Sequence, residues 1–350
     1  MFDFEYIGNL HIHSRYSDGT GTVQEIKESA IRAGLDFIAL NDHDFMMDEF
    51  HIDEEGFYGK TMVLVGIEIG REDHHYLAYG IREMIRKDEL SPQQVIDRVR
   101  VSGGIGFLAH PFEKGMPFLN NSKAYKWKDL SVTGYQGLSI WNFSSRWKER
   151  VKSALHGMVF LCFRRQLLKG PSRRTLAFWD RQCQHRRVAA IGASDAHGSL
   201  FTWGPIRFRP FSYDFLLNTI NVHVLLNKRI WNDFEAGKEA VYEALKEGRL
   251  FIAHDGLCPA KGFRFDFMST DGSDLVMGEE GTFQKGEFVI ELPRPGKIRL
   301  IKDGRLTKTW RGREAVYKVR EKGVYRVEVY RRIFLFGWRP WIFSNPIYLR

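Results

Sequence analysis

Chemistry first becomes available at His11 and His13, a pair separated by one residue inside the run YIGNLHIH. Alternate residues of an extended strand project from the same face, so both imidazoles can reach one ligand. Asp195 and His197 repeat that spacing much later in the chain. Asp42-His43, Glu68 and His110 each follow an apolar run, and Asp18 sits in a Ser-Asp-Gly turn shortly after the first histidine pair. Imidazole and carboxylate donors without thiolate favour Zn, Mn or Fe over a structural cysteine site. Several divalent ions held side by side would clamp a phosphoryl group and bring the pKa of a bound water to about 7, and the resulting hydroxide attacks an electrophilic phosphorus or carbonyl. The three cysteines, Cys162, Cys183 and Cys258, are far apart and form no C-x-x-C pair. That spacing argues against a disulfide framework or a thiolate zinc site, and free thiols fit a reducing compartment.

For these residues to meet, strands of one polarity must deliver them to a common end. YIGNLHIH reads as the first strand. Thr22-Val-Gln-Glu25 is a capping box that opens a helix with Ile26, Ala30 and Ala33 on one face and Gly34 placed to stop it. LDFIAL is a second buried strand, ending in Asn41-Asp42-His43-Asp44, so the first βαβ unit should hold two parallel strands. MVLVGIEI reads as a strand ending near Glu68, SPQQVIDRVRVSGG as a helix starting at Pro92, IGFLAHP as a strand ending at His110, and VAAIGASDAH as a strand ending at Asp195 and His197. Loops at the C-terminal strand ends of parallel α/β folds converge on one mouth, where active sites form. The pattern predicts a parallel α/β architecture, a barrel or an open sheet. The Arg-rich, helical stretch from about Phe143 to His185 breaks the rhythm and reads as an insertion outside the fold. From about Leu257, Gly- and Pro-rich turns separate short runs (FVIEL, KIRLIKDG, VYRVEVY, PIYL), the signature of a small antiparallel sheet or sandwich. The expected division is a metal-binding domain over 1–256, with a basic helical insertion over about 143–187, and a β-sandwich-like domain over 257–350. The segment VYEALKEGRLFIAHDG would close the first and cross to the second.

The 350 residues, 43% hydrophobic and 14% aromatic, suffice for about two domains with real cores and exclude a disordered chain. The N-terminus has early acidic residues and no long apolar core, so it does not read as a signal peptide. No run reaches the ~20 apolar residues of a membrane span. IFLFGWRPWIF comes closest, but Arg339 and Pro340 interrupt it and it reads as sheet. A soluble cytoplasmic protein with no membrane partner is expected, and no oligomeric state follows. The net charge of +9 is concentrated: Arg146 to Arg187 holds 12 Lys/Arg against 2 Asp/Glu. Such a patch can steer anionic substrates or offer a nucleic-acid surface, against the plainer reading of a solvated helical face.

In order along the chain, N-L-H-I-H-S-R-Y-S-D-G from Asn9 to Gly19, A-L-N-D-H-D from Ala39 to Asp44, G-I-E-I from Gly66 to Ile69, A-H-P from Ala109 to Pro111 and A-S-D-A-H from Ala193 to His197 resemble the ordered motifs of the polymerase and histidinol phosphatase (PHP) superfamily. The resemblance covers roughly the first 255 residues. The C-terminal pieces A-L-K-E-G-R, K-D-G-R and S-N-P-I-Y resemble the carbaryl-hydrolase-like branch, which carries a terminal β-domain. The resemblance implies a distorted (β/α)7 barrel with two or three divalent ions. It implies His11, His13, Glu68 and Asp195 around one ion. Glu68 would bridge to a second, shared with His110 and a histidine after Glu68, and Asp18, His43 and His197 would hold a third. In His74-His75-Tyr-Leu-Ala-Tyr-Gly80, His75 is the favoured ligand and His74 the alternative. Ser139 stands where many relatives have an acidic residue.

The implied activity is phosphoester hydrolysis by a metal-activated water, with a small phosphoester or nucleotide as substrate and His43 and His197 as proton-transfer groups. Arg15, Lys114 and Arg207 lie near motif elements in sequence and are candidate phosphate contacts. Two other readings stand beside this one. One is a carbamate, ester or amide hydrolase on the same metals. The other is a metal-stabilised nucleic-acid-binding module using the basic segment. His51, His156, His185, His223 and His254 fall outside the motifs and read as surface or packing residues.

Overall fold

A single glycine decides where the first sheet ends. In the computed structural model, which describes residues 3–118, 123–203 and 205–350, the expected βαβ unit is present as β1 (Phe4–Ile12), α1 (Val23–Arg32) and β2 (Phe37–Leu40). β1 and β2 are parallel. Thr22 and Glu25 close the capping box on α1, and Ile26 and Ala30 bury its inner face. Next, β3 (Gly56–Tyr58) forms a hairpin with β4 (Thr61–Val65), which lies parallel to β2. At Gly66 the chain leaves this sheet. A side chain there would meet the Ala78 carbonyl oxygen at 2.5 Å and the Asn41 amide at 2.8 Å, so only glycine permits the close crossing. The run expected as one strand is therefore two, and β5 (Ile67–Ile69) starts a second sheet.

That second sheet continues through β6 (Tyr76–Tyr79), β7 (Ile105–Leu108), β8 (Gly137–Asn142) and β9 (Ala189–Ala193). Pairing is antiparallel across β5–β6–β7 and parallel across β7–β8–β9. Helix α2 (Pro92–Val101), capped by Ser91 and Gln94, leads into β7. The arginine-rich segment forms α3 (Phe143–Lys148), α4 (Ala154–Cys162) and α5 (Arg173–His185). It is not wholly external: α5 is the crossover between β8 and β9 and buries Phe178, Trp179 and Cys183. A short hairpin, β10 (Phe201–Trp203) with β11 (Ile206–Phe208), and α6 (Tyr213–Leu216) lead back to the first sheet. There β12 (Ile220–Leu226) pairs antiparallel with β1, and α7 (Phe234–Glu247) returns the chain to β13 (Leu250–His254) beside β12.

The two sheets touch where their strands end. The His13 N–H donates to the Ala196 carbonyl at 2.9 Å and the Ala196 N–H to the His11 carbonyl at 3.1 Å; across the other seam, the Glu68 N–H donates to the Asp42 carbonyl at 3.1 Å. The architecture is thus mixed α/β, with antiparallel pairs that a regular parallel alternation would not contain.

The C-terminal part is a large sheet-rich region: β14 (Arg264–Ser269), β15 (Leu275–Val276), β16 (Glu280–Gly281), β17 (Gly286–Lys302), β18 (Arg305–Val319), β19 (Gly323–Ile333), β20 (Gly337–Ser344) and β21 (Ile347–Leu349). In place of the short strands that the turn spacing predicts, β17 and β18 run 17 and 15 residues as one bent hairpin. β20 pairs with β13, so a single sheet passes from the N-terminal part into this region. The pleat of β13 divides its residues between two cores. Leu250 and Ile252 face the first, and Phe251 and Ala253 face the second. Among the described residues no helix is long and apolar enough to cross a membrane.

Candidate metal centre

The strand-end residues named from sequence converge at the seams between the two sheets. β1 presents His11, and His13 follows directly after its last residue; both are fully buried. Asp42 builds the turn that follows: its carboxylate accepts the Ser14 N–H at 2.7 Å, the Ser14 hydroxyl at 2.7 Å and the Ser17 hydroxyl at 2.5 Å. This turn brings Asp18 back beside His13 and His197. The Tyr213 hydroxyl accepts from the Gly21 N–H and lies 2.7 Å from the His13 carbonyl and 3.0 Å from that of His197, tying the two loops together. His110 and Asp195 have φ of 27° and 55°. A non-glycine residue in that region costs on the order of 1–3 kcal/mol, and such strain gathers at functional sites. Here it turns both side chains into the cluster.

Glu68 stands at the centre. Its Oε2 lies 3.1 Å from His11 Nε2, 3.2 Å from His13 Nε2 and 3.5 Å from His43 Nδ1. Its Oε1 lies 2.9 Å from His75 Nδ1 and 3.3 Å from His110 Nε2. One carboxylate therefore faces two histidine sets, the geometry of a bridging ligand. Asp195 Oδ1 closes the first set, 3.6 Å from His11 Nε2 and 3.4 Å from His13 Nε2. Asp18 collects His197 at 3.2 Å, His13 at 3.5 Å and His43 at 3.8 Å. Ligand atoms of His13, Asp18, His43 and His197, of His11, His13 and Asp195, and of His43, Glu68 and His75 each lie within 4.8 Å of one another. His11 and His13 bring their Nε2 atoms to 3.0 Å, an approach that joint donation to one cation would satisfy. The buried His75 Nε2 and His43 Nδ1 have no hydrogen-bond partner. Buried polar atoms seldom stay unpaired. The donor set and these orphaned nitrogens fit divalent ions.

The electrostatics agree. Burial works against the charged form of Glu68, yet the His11, His75 and His43 imidazoles hold its carboxyl well below the usual range. Asp195, equally buried, is held low by His11, His13 and His197. Burial lowers His43 to about 3, keeping it neutral, as a ligand must be. Burial opposes the His110 imidazolium, but Glu113 and Glu68 outweigh it and lift the pKa to about 9. Three ionised carboxylates, Asp18, Glu68 and Asp195, stand among six imidazoles, whose protons a cation would displace.

Beside the cluster is a cavity of about 220 Å³, lined by Asp18, His43, Glu68, His75, His110, Asp195 and His197. The lining also includes groups that the sequence did not single out: Lys148, Tyr125, whose ring centroid lies 4.6 Å from that of His75, and the apolar Phe143, Trp147 and Phe211. Burial disfavours the Lys148 ammonium, yet Glu113 and Asp195 raise its pKa. No side chain among the described residues lies within ion-pair distance of it. Its one sequence signal was position, because α3 starts directly at the end of β8. Asn142, the cap of α3, donates to Asp195 Oδ2 at 3.1 Å and was also missed.

The other named residues lie elsewhere. Arg15, Lys114 and Arg207 are exposed and do not line the cavity. His75 faces Glu68, whereas His74 turns away and accepts the Lys128 and Asp129 N–H groups at 3.1 and 3.0 Å. Ser139 is buried on β8, its hydroxyl unpaired. His51 stacks on Tyr16, His254 contacts the Arg165 carbonyl, and His223 lies between Glu5 and Asp255. His156 and His185 are exposed. Several arginines of the basic segment are engaged internally: Arg150 with the Leu167 carbonyl, Arg186 with that of Tyr135, Arg187 with Glu247.

Residues 9–130, which carry His11 to His110, match the family model of the PHP domain. The match supports the PHP superfamily. A curated relative, the uncharacterized protein MJ1587 of Methanocaldococcus jannaschii, is 26% identical over 116 residues, 30% of this chain and 67% of that protein. Among solved structures, a two-domain Bacteroides vulgatus protein containing a predicted PHP-like metal-dependent phosphoesterase is 14% identical, with a TM-score of 0.49 over 99% of this chain and 96% of the other. A Bifidobacterium adolescentis protein, a candidate metal-dependent phosphoesterase, is 18% identical with a TM-score of 0.33, over 57% of this chain and 91% of its own.

Proposed function

We propose that the chain is a metal-dependent phosphoesterase that hydrolyses a phosphomonoester or phosphodiester. The observation that carries this reading is Glu68, whose two oxygens face two histidine sets beside a cavity holding an unpaired lysine. We assign His11, His13, Glu68 and Asp195 to one divalent ion, Glu68, His75 and His110 to a second, and Asp18, His43 and His197 to a third. Zn, Mn or Fe suit these donors. The two sheets then form one distorted PHP-type barrel with the centre at its mouth, and residues 257–350 are a β-domain built onto it.

Bound there, the ions supply Lewis acidity and a water with a pKa of about 7. The chain does the rest. Lys148 binds an anionic oxygen of the substrate, and Tyr125, which lines the same cavity, orients it. Phe143, Trp147 and Phe211 exclude solvent, which strengthens each charge interaction inside. His197, the most exposed imidazole of the set, is placed to pass a proton to the leaving group. His43 is buried and neutral and serves as ligand only.

The test is a substrate panel on protein loaded with Zn, Mn or Fe: nitrophenyl phosphate, bis-nitrophenyl phosphate, and nitrophenyl esters and carbamates. Phosphoester turnover should require metal and fall at least about 100-fold in Glu68→Gln. Turnover confined to esters or carbamates would replace this reading with the carbonyl hydrolase that the carbaryl-hydrolase-like resemblance allows. Less than one divalent ion per chain, with no gain on adding metal, would overturn the metal centre itself.

A further inference from the structure

The basic segment and the C-terminal sheet enclose a second cleft, separate from the metal cavity. One cavity of about 450 Å³ is lined by Arg146, Arg150, Lys152, Lys169 and Arg173. An adjoining one of about 810 Å³ shares Arg146, Lys169 and Arg173 and adds Arg339 from β20. Cations this close should be matched by carboxylates if their role is structural. The carboxylates here are already committed. Glu149 pairs with Arg146. Asp180 takes Arg326 at 2.7 Å, and Glu328 takes Arg326 at 2.8 Å and Arg299 at 2.9 Å. Among the described residues, none of Arg150, Lys152, Lys169, Arg173 and Arg339 has a carboxylate within 4 Å. The Nε of Arg339 is buried without any hydrogen-bond partner.

The fold bears a cost for this crowding. The Arg150 charge, with burial and the charges of Arg146 and Lys152, depresses the Lys169 ammonium. Burial, then Arg339 and Arg146, lowers Arg150. A local rule broken without internal compensation points to a function. The cleft also receives the N-terminus of α5, where Ser172 is the cap and lines the smaller cavity. The N–H groups and dipole of a 13-residue helix add to the positive field.

We infer that this cleft is a binding site for a small anion carrying two or more phosphate groups. One phosphate brings a charge of about −1.5 to −2, too little for five cations that have no carboxylate partner among the described residues and are spread over two joined cavities. The site draws on none of the proposed metal ligands, so it stands apart from the catalytic reading.

The test is calorimetric titration of the full-length, metal-loaded protein with sodium tripolyphosphate, inorganic phosphate and a short single-stranded DNA. Tripolyphosphate should bind at least tenfold more tightly than inorganic phosphate, with an affinity that falls steeply with salt. It should bind equally well to Glu68→Gln, which excludes chelation at the metal cluster as the source of the signal. Lys169→Glu and Arg173→Glu, both at exposed positions, should each weaken it at least tenfold while metal content and thermal midpoint stay unchanged; Lys152→Ala gives a milder third variant. The inference is overturned if inorganic phosphate binds as tightly, if only the DNA binds, if Glu68→Gln abolishes binding, or if all three folded variants bind like the parent.

Discussion

Lys148 is the residue whose role can be separated most cleanly from the metals. It lies in the cavity without an ion pair among the described residues, and its charge is maintained there by Glu113 and Asp195. A hydrogen bond to a charged group contributes about 1.5–3 kcal/mol, so Lys148→Met should lower kcat/KM for phosphoesters roughly 10- to 100-fold. Bound metal per chain should not change. An equal loss on a neutral nitrophenyl ester would mean that Lys148 shapes the cavity rather than binding an anion. This residue also marks where sequence reading stops. His11 and His13 were legible because a strand's period of two puts both on one face. His74 and His75 are adjacent and must point oppositely, so the pattern could name the pair but not its phase. In the structure φ is positive at His74, and its ring accepts the N–H groups of Lys128 and Asp129. Lys148 and Tyr125 come from segments with no motif, and their arrival at the cavity depends on how the chain packs on either side of β8, Tyr125 before it and Lys148 after it.

At the scale of elements, β12 and β13 are packed on both faces, and the polar residues between the cores must be paired. His223 on β12 has Glu5 at 2.8 Å and Asp255 at 3.0 Å. Arg264 and the Gly262 N–H complete Glu5 at 2.7 and 2.9 Å. Burial opposes the imidazolium, but Asp255 and Glu5 outweigh it and lift its pKa to about 9. The unfolded value is about 6.5. The charged pair's stabilisation is therefore fully present below about pH 6.5 and is lost as pH rises through about 9. His223→Gln should cost about 3–5 kcal/mol near neutrality, the usual penalty for breaking a buried pair from one side. The thermal midpoint of the parent, followed from pH 6 to 10, should approach that of the variant at the alkaline end. Parallel curves across that range would show that His223 is neutral in the fold. Sequence reading placed this histidine with the packing residues, because nothing local reveals that Glu5 and Asp255 flank it. The same limit hid the break at Gly66, where the clash that requires glycine comes from Ala78 on β6 and from Asn41 just past β2. Capping boxes, which are local, were legible at α1.

At the scale of the whole molecule, β13 decides whether the two parts can live apart. Composition and turn spacing distinguish the part after Leu257, but they do not show that β20 hydrogen-bonds to β13 through Phe251, Ile252 and Ala253. Strand partners far apart in sequence leave no periodic trace. Phe251, Ala253 and Leu225 belong to the second core although they precede the expected boundary. Cutting the chain after Asp255 would expose that face. Each large apolar side chain returned to water costs about 1.5–3 kcal/mol, Glu5 would lose Arg264, and β13 would become an open edge. These losses together are comparable with a typical total stability of about 5–15 kcal/mol. The full chain should therefore melt in one calorimetric transition, with calorimetric and van't Hoff enthalpies agreeing. The fragment 1–255 should fail to give a folded, metal-loaded product. Two resolved transitions, or a soluble fragment with the parent's metal content, would show that the N-terminal part folds alone and that the C-terminal sheet is an attachment. A single transition would mean instead that the sheet region supports β1, which carries His11 and leads into His13. A destabilising substitution deep in the second core, such as Phe288→Ala, would then lower metal retention on heating despite lying in a different core from the site.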